Sequence, residues 1–460
     1  MQEAGIRYIA VIDGEHYPPV LEAALSEVAD SGNEVVVALL VGGKEKLPAE
    51  GLDEIAGVPV KAGDDARSLL QNLIDEHSPD AVLDLSDEPV LDNRRRFALA
   101  SVALDRGVEY VGADFAFRPP PRPRISTRPS VAVISTGKRT GKTAVTGFAA
   151  RVLTGVGRKP VIVSMGRGGP QEPQVLRGDK IELGPKDLLE IAEQGRHAAS
   201  DYIEDALLGR VPTVGCRRCG GGIAGGVELS NVPRGVEMSN ELPGDITLLE
   251  GSGSAIPPAF ADSTILVIPA SVDPEYLRGY MGPYRLLLSD LVVVTLCENP
   301  FGSPSQISDI TSLVRESFRT DRPGEKGRDI QVVRTVFRPK PTRSVDGMRA
   351  FVATTAPKEV GDSLKGHLEQ EHGCEVVGMS HQLSDRAALI EEIEKISEKA
   401  DVLLCEIKAA GVDVATRKAL EEDLEVVYMD NVPEGIDGDD PAGAIEEIAK
   451  LADERFERVR

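Results

Sequence analysis

Val131–Thr143 reads VAVISTGKRTGKT, an apolar β-branched run that enters a glycine-bearing turn and then a segment of helical period. Residues of these types in this order suit phosphate binding, because the backbone N–H groups of the turn and the helix N-terminus converge on an anion. Lys142 would reach the β- and γ-phosphates of a nucleotide, and the Thr143 hydroxyl would ligate Mg²⁺. The usual spacing, G-x-x-x-x-G-K-[ST], has glycine where Thr136 stands, and here glycine follows one position later at Gly137. Gly137, Thr140, Gly141, Lys142 and Thr143 are the expected nucleotide contacts. Lys138 and Arg139 put positive charge where phosphoryl transfer develops negative charge. The bland alternative is a plain turn, which the strand–helix setting disfavours.

Further segments repeat the theme of a strand delivering glycines and charge. In Ile246–Pro258 (ITLLEGSGSAIPP), Glu250 closes an apolar strand. A carboxylate there is placed to hold Mg²⁺ together with Thr143, and Ser252 follows in the turn as a substrate contact. A surface glutamate at a turn is the alternative. In Val161–Pro170 (VIVSMGRGGP), Arg167 beside Gly168 suits bidentate phosphate contact, against the reading of an exposed arginine at a turn. Lys138, Arg139, Lys142 and Arg167 make up the expected catalytic set. Gly215–Gly226 (GCRRCGGGIAGG) carries Cys216 and Cys219 at C-x-x-C spacing. With no second such pair, zinc or redox chemistry is the minor reading. The major one is a glycine loop that turns Arg217 and Arg218 toward an anion, with Gly220 and Gly221 admitting a ligand close to the backbone; a flexible hinge is the alternative. Asp13–Pro19 (DGEHYPP) offers His16 as a proton carrier or ligand, against a merely structural histidine. Phe337–Pro341 (FRPKP) and Cys405–Ala410 (CEIKAA) present Arg338, Lys340, Glu406 and Lys408 as anion contacts or routine solvated charges, and Lys408 is kept as a substrate contact.

The elements that must position these groups alternate in a βαβ rhythm. Arg7–Asp13, Glu34–Val41 and Ala81–Leu85 read as strands, with helices at Pro18–Asp30, Ala66–His77 and Pro89–Arg106. Arg118–Ser130 (RPPPRPRISTRPS) holds five prolines and four arginines, which favours an extended, semi-rigid linker and a domain boundary near residue 125. Beyond it strands are expected at Val131–Ser135, Val161–Met165, Ile246–Glu250, Ile265–Pro269, Leu291–Thr295, Arg349–Thr354, Asp401–Cys405 and Glu425–Met429. Gly209–Gly253 reads as a long glycine-rich loop, and such loops usually carry function. The fold expected is α/β: a P-loop NTPase-like, doubly wound, mostly parallel sheet core with a separate α/β N-terminal domain. The domains run 1–125 and 126–460, with a C-terminal α/β portion at roughly 336–460.

Composition narrows the partners. Among 460 residues, 52 Lys+Arg stand against 75 Asp+Glu, a formal net charge of −23 that suits no nucleic-acid backbone. No apolar run approaches the roughly 18 residues of a membrane span, and no secretory signal opens the chain, so a cytoplasmic protein is expected. Five cysteines do not read as a disulfide framework. The expected partner is a small anionic substrate, with no nucleic acid and no membrane; a homodimer is the assembly expected.

The Val131–Thr143 and Glu250 segments resemble the dethiobiotin synthetase and cobyrate-amidation branch of phosphate-loop enzymes. Over nearly the whole chain, DGEHYPPV, STGKRTGKTAVTG, CRRCGGG, LLEGSGSAIPP, VFRPKP, FVATTAP and EIKAAGVDV, in this order, resemble the cyclic 2,3-diphosphoglycerate synthetase family. The resemblance implies an N-terminal domain of about 125 residues, a larger nucleotide-binding core and dependence on ATP and Mg²⁺. It implies that 2,3-diphosphoglycerate, the phosphoglycerate substrate, is closed through an intramolecular phosphoanhydride, giving ADP and phosphate. The γ-phosphoryl group would pass to one substrate phosphate, and the other would displace inorganic phosphate. A reactive phosphorylated intermediate needs shielding from water, so closure of the N-terminal domain or of the Gly215–Gly226 loop is expected. Three alternatives are set beside this. A dethiobiotin-synthetase-like ligase would release phosphate with a carboxylate and an amine. A 2-phosphoglycerate kinase would release none. A nucleotide-switched P-loop ATPase acting as a binding module would ignore phosphoglycerates.

Overall fold

Runs of Val, Ile and Leu without polar alternation make strands buried on both faces, and such strands assemble into parallel sheets covered by helices. The computed structural model describes residues 5–43, 46, 52–194, 200–317, 330–383, 385–408 and 410–459. Its strands are β1 Arg7–Ile12, β2 Glu34–Leu40, β3 Glu54–Ile55, β4 Val58–Ala62, β5 Ala81–Asp84, β6 Glu109–Val111 and β7 Ala116–Phe117. They continue with β8 Ser130–Ser135, β9 Pro160–Gly166, β10 Gln174–Arg177, β11 Pro212–Cys219, β12 Leu229–Ser230, β13 Ile246–Glu250 and β14 Ser263–Pro269. The last are β15 Leu291–Thr295, β16 Gln331–Pro341, β17 Arg349–Ala353, β18 Glu375–Ser380, β19 Val402–Glu406 and β20 Glu425–Gly435.

Strands β1 to β7 form an N-terminal sheet in the order β3-β4-β2-β1-β5-β6-β7, parallel except at its two edges. The remaining strands form a second sheet, β10-β11-β9-β13-β8-β14-β15-β16-β20-β19-β17-β18, with β12 paired to β11. In this second sheet β8, β9, β13 and β15 are buried along their whole length. The chain is thus α/β, with a mostly parallel P-loop core and a separate N-terminal domain.

Strand β16 decides the geometry of the site. Its first part, Gln331–Arg334, pairs in parallel with β15. Its second part, Thr335–Pro341, runs on past the end of β15 and pairs antiparallel with β20. Strands β17, β18, β19 and β20 are mutually parallel. The carboxyl ends of the P-loop strands and of the C-terminal strands therefore point at each other across a gap walled by β16 and β20. Strand β19 ends level with Met429, which pairs with Pro341, while β15 ends level with Thr335. Six residues of strand separate the two edges, a gap of roughly 20 Å.

Two segments differ from expectation. Arg118–Ser130 is extended but is no free spacer. Arg128 is buried and donates to the carbonyls of Ser239 and Leu242. Arg124 stacks 3.6 Å from the Phe260 ring centroid and reaches Asp262 at 3.2 Å. Gly209–Gly253 is not one long loop: it holds β11, β12, the helix Val232–Asn240 and β13, with a glycine-rich turn at 220–228. Several of its glycines serve close packing: a Cβ on Gly215 would lie 2.5 Å from the Tyr202 ring, and one on Gly235 would lie 2.2 Å from Cys216 Sγ. The helix Pro441–Val459 returns to the P-loop half, where Ile445, Ile448 and Ala452 share a core with Val145 and Ala149. Among the described residues no helix is long and apolar enough to cross a membrane.

Candidate active site

The helix Lys142–Gly155 begins where β8 ends, and its N-cap Gly141 takes φ +85°. A Cβ there would also meet Phe337 Cζ at 2.2 Å, so glycine is required twice over. Gly137 has open space where a side chain would stand, so the displaced first glycine of the motif leaves room for a ligand. Two hydroxyls fix the loop. Thr295 at the end of β15 donates to the Thr140 carbonyl at 2.7 Å. Ser135 lies 2.8 Å from the Gly253 carbonyl and 3.0 Å from that of Gly137.

Glu250 at the end of β13 is fully buried and accepts from the Lys142 ammonium, from the Thr143 hydroxyl at 2.8 Å and from Ser164 at 2.7 Å. Burial pushes this carboxyl up, but the adjacent Lys142 and the hydrogen bonds bring it below its ordinary range. Asp205, on the helix Asp201–Gly209, faces it. Burial and then the charge of Glu250 hold Asp205 well above the usual carboxylate range. Thr143 and Glu250 supply oxygen donors of the kind Mg²⁺ takes, and no third carboxylate is needed, since this ion keeps waters and phosphate oxygens in its shell. Among the described residues no cluster of three His, Cys, Asp or Glu side chains forms an all-protein metal cage.

A cavity of about 930 Å³ fills the gap between the two sheet edges. On the P-loop side it is lined by Gly137, Lys138, Arg139, Thr140, Gly141, Lys142, Thr143, Arg167, Gly168 and Ser252. Around Gly253 these groups converge: an added Cβ would lie 2.7 Å from Arg167 Nη2 and 3.7 Å from both Lys138 Cγ and Arg218 Nη2. Arg218 donates to the carbonyls of Ser252 and Gly220, each at 2.8 Å, so its guanidinium braces the turn. Arg217, Arg218, Gly220 and Gly221, expected as substrate contacts, lie outside the cavity lining. Arg217 is exposed, with its backbone N–H bonded to Asn231 Oδ1 at 2.7 Å. Cys216 is buried and Cys219 exposed, both as free thiols on strand β11. His16 lies in the turn after β1 of the N-terminal domain, 3.0 Å from the buried Asp13, and does not line this cavity.

The opposite wall is made by the loops after β17 and β19. These two strands are neighbours, and β18 lies on the other side of β17, so the crevice between them is the point where strand order reverses, the usual ligand position in an open α/β sheet. Glu406 accepts from the Thr354 hydroxyl at 2.5 Å, the Thr355 N–H at 3.1 Å and the Thr355 hydroxyl at 2.7 Å. Lys408 reaches across to both Glu204 oxygens, at 3.1 and 3.2 Å. Burial raises Glu204 to about 7 despite that cation. Arg386 completes this side and pairs with Asp413 at 2.7 Å.

Asp201, Glu204, Thr354, Thr355 and Arg386 were not singled out from the sequence. One signal was present: DYIEDALLG places Asp201, Glu204 and Asp205 at i, i+3 and i+4, one face of an otherwise apolar helix.

Family models for cyclic 2,3-diphosphoglycerate synthetase match three stretches: its N-terminal domain at residues 7–118, its P-loop domain at 130–321 and its C-terminal domain at 341–432. The cyclic 2,3-diphosphoglycerate synthetase of Rubrobacter xylanophilus is 49% identical over 436 residues, 94% of this chain and 96% of that one. The protein of the same name from Methanothermus fervidus is 42% identical over 467 residues, 99% of each. LpxK from Aquifex aeolicus, solved in complex with ATP, aligns at 12% identity and a TM-score of 0.38 over 73% of this chain and 90% of that one, too remote to argue from.

Proposed function

The chain belongs to the cyclic 2,3-diphosphoglycerate synthetase family, and from that premise we propose how its cavity closes 2,3-diphosphoglycerate into the cyclic phosphoanhydride, with ATP going to ADP and phosphate. The observation that carries the proposal is the opposition of two carboxyl edges across one cavity, which gives two polyanions separate walls and a shared interior.

On the P-loop wall, the backbone of Gly137–Thr143 and the Lys142 ammonium hold the nucleotide's phosphates. Lys142 leaves Glu250 to do so. Thr143 and Glu250 would then hold Mg²⁺, which when bound would supply positive charge to the nucleotide's phosphates. Phe337 and Phe301, beside the loop, give the purine an apolar surface. Lys138, Arg139 and Arg167 surround the place where the transferred group carries its charge. The phosphoglycerate lies against the other wall, with Lys408 and Thr355 as contacts, and Glu406 fixes the Thr354–Thr355 turn. The chain's task is positioning and charge stabilisation, as in other phosphoryl transfers.

Phosphorus NMR of the purified chain with ATP, Mg²⁺ and 2,3-diphosphoglycerate tests this. The expected outcome is a new phosphoanhydride resonance appearing together with ADP and inorganic phosphate. Phosphate release that ignores 2,3-diphosphoglycerate, or that requires a carboxylate and an amine instead, overturns it.

A further inference from the structure

Ring closure carries a proton debt. Transfer of the γ-phosphoryl group converts one substrate phosphate into a diphosphate and ATP into ADP. The second substrate phosphate then attacks the inner phosphorus. One P–O bond forms, the P–O bond to the outer phosphorus bridge breaks, and its electron pair departs on inorganic phosphate. Without a proton that group leaves as a trianion, a poor leaving group; with one it leaves as the ordinary dianion. Summed over both steps, ATP tetraanion and substrate pentaanion give ADP trianion, cyclic trianion and phosphate dianion, and one proton is consumed.

Resting on the ring-closure reading above, we propose that Glu204 is the general acid that delivers this proton to the departing phosphate. Its helix, Asp201–Gly209, forms the side wall between the two facing edges, and Glu204 lines the same cavity as Lys142, Arg167 and Lys408. Its side chain is 13% exposed and, among the described residues, is held by Lys408, from the loop after β19. The other carboxylates of the cavity are engaged elsewhere: Glu406 by Thr354 and Thr355, Asp430 by Arg151, and Glu298 by Arg338. Asp201, one turn earlier on the same helix, lies on the nucleotide side against Gly166.

The groups that face Glu204 are Lys408, Asp201 on its own helix, and Asp430 on β20, itself paired with Arg151 of the P-loop helix. Burial raises this carboxyl most, and Lys408 lowers it, leaving it near neutrality and able to carry a proton there. Lys408 stays beside Glu204 while it meets the substrate phosphate, and Glu204 keeps its proton until a stronger base, the leaving phosphate, takes it.

The experiment is rapid quench with labelled ATP and 2,3-diphosphoglycerate, followed across pH, on Glu204→Gln. The first-turnover formation of ADP should stay within a few fold of the parent chain, while phosphate release slows by about 10²- to 10⁴-fold and the intermediate bearing a diphosphate and a phosphate accumulates. The parent chain should lose rate as pH rises through about 7, and the variant should lack that limb. Glu204→Asp should recover part of the rate. Lys408→Met, which strips the cation from Glu204, should move the limb to higher pH. Phosphate release by Glu204→Gln at the parent rate with the limb intact overturns the assignment, as does an unmoved limb in Lys408→Met. A parent chain that yields no phosphate dependent on 2,3-diphosphoglycerate removes the ring-closure reading itself, and this assignment with it.

Discussion

The two edges that face each other across the cavity are built by different means. The P-loop edge works through backbone: Gly141 at positive φ, the open position at Gly137, and turns at Gly168 and Gly253 that bring Arg167 and Lys138 together. The facing edge works through side chains: Thr354 and Thr355 hold Glu406, and Lys408 spans the gap to Glu204. Backbone donors grip any phosphate at a fixed distance. Side chains discriminate by shape and charge, because each has one reach and one polarity. On the proposed reading, the general task, holding a triphosphate, falls to the first edge and the particular one, choosing its acceptor, to the second.

The strongest way to break that division is Lys142→Ala. Turnover should fall by about a thousandfold, and nucleotide binding should weaken with it. Lys142 also neutralises the buried Glu250, and removing one partner of a buried pair costs about 3–5 kcal/mol. Thermal unfolding in the absence of nucleotide should show that loss, moderated by the Thr143 and Ser164 donors that remain. Near-normal turnover would remove the nucleotide assignment. Gly141→Ala comes next. It forces a side chain into φ +85° and into the Phe337 ring, each a strain of about 1–3 kcal/mol. Nucleotide affinity, measured by titration, should drop roughly tenfold to a hundredfold, while affinity for 2,3-diphosphoglycerate stays unchanged. Equal loss of both would show that the walls are not independent.

The same contrast explains what was legible in the sequence. Strand, turn and helix around Lys142 are contiguous, so local pattern revealed them, and Glu250 was marked by an apolar strand that ends in an acid before glycine. Glu204 was marked only as one of three acids on a single helix face. Its partner Lys408 is 204 residues away, and nothing in DYIEDALLG says which face of that helix meets the P-loop. Thr354 and Thr355 matter only because β17 lies beside β19, an order fixed by pairing rather than by any single segment. FRPKP reads from sequence as anion contacts or solvated charges at Arg338 and Lys340, with no strand assigned to it. In the fold, Pro339 and Pro341 sit within β16, whose other side near residue 335 no longer pairs with β15. The glycine-loop reading of Gly215–Gly226 holds from Gly220 on, where Gly220 and Gly225 take positive φ, whereas Cys216 and Cys219 end strand β11 before the turn begins.

Thr355→Val should produce the smallest effect and the sharpest distinction. Valine keeps the volume and the backbone N–H but loses the hydroxyl that donates to Glu406 at 2.7 Å. Glu406 retains the Thr354 hydroxyl and the Thr355 N–H, so the fold should lose only about 0.5–1.5 kcal/mol, the worth of one net hydrogen bond. A turn held by two donors instead of three places its neighbours less well. The KM for 2,3-diphosphoglycerate should therefore rise by roughly threefold to tenfold, with the KM for ATP unmoved. A rise in the ATP KM of the same size would mean that the second wall contacts the nucleotide, because an effect confined to acceptor choice cannot pass through a residue that never touches the donor.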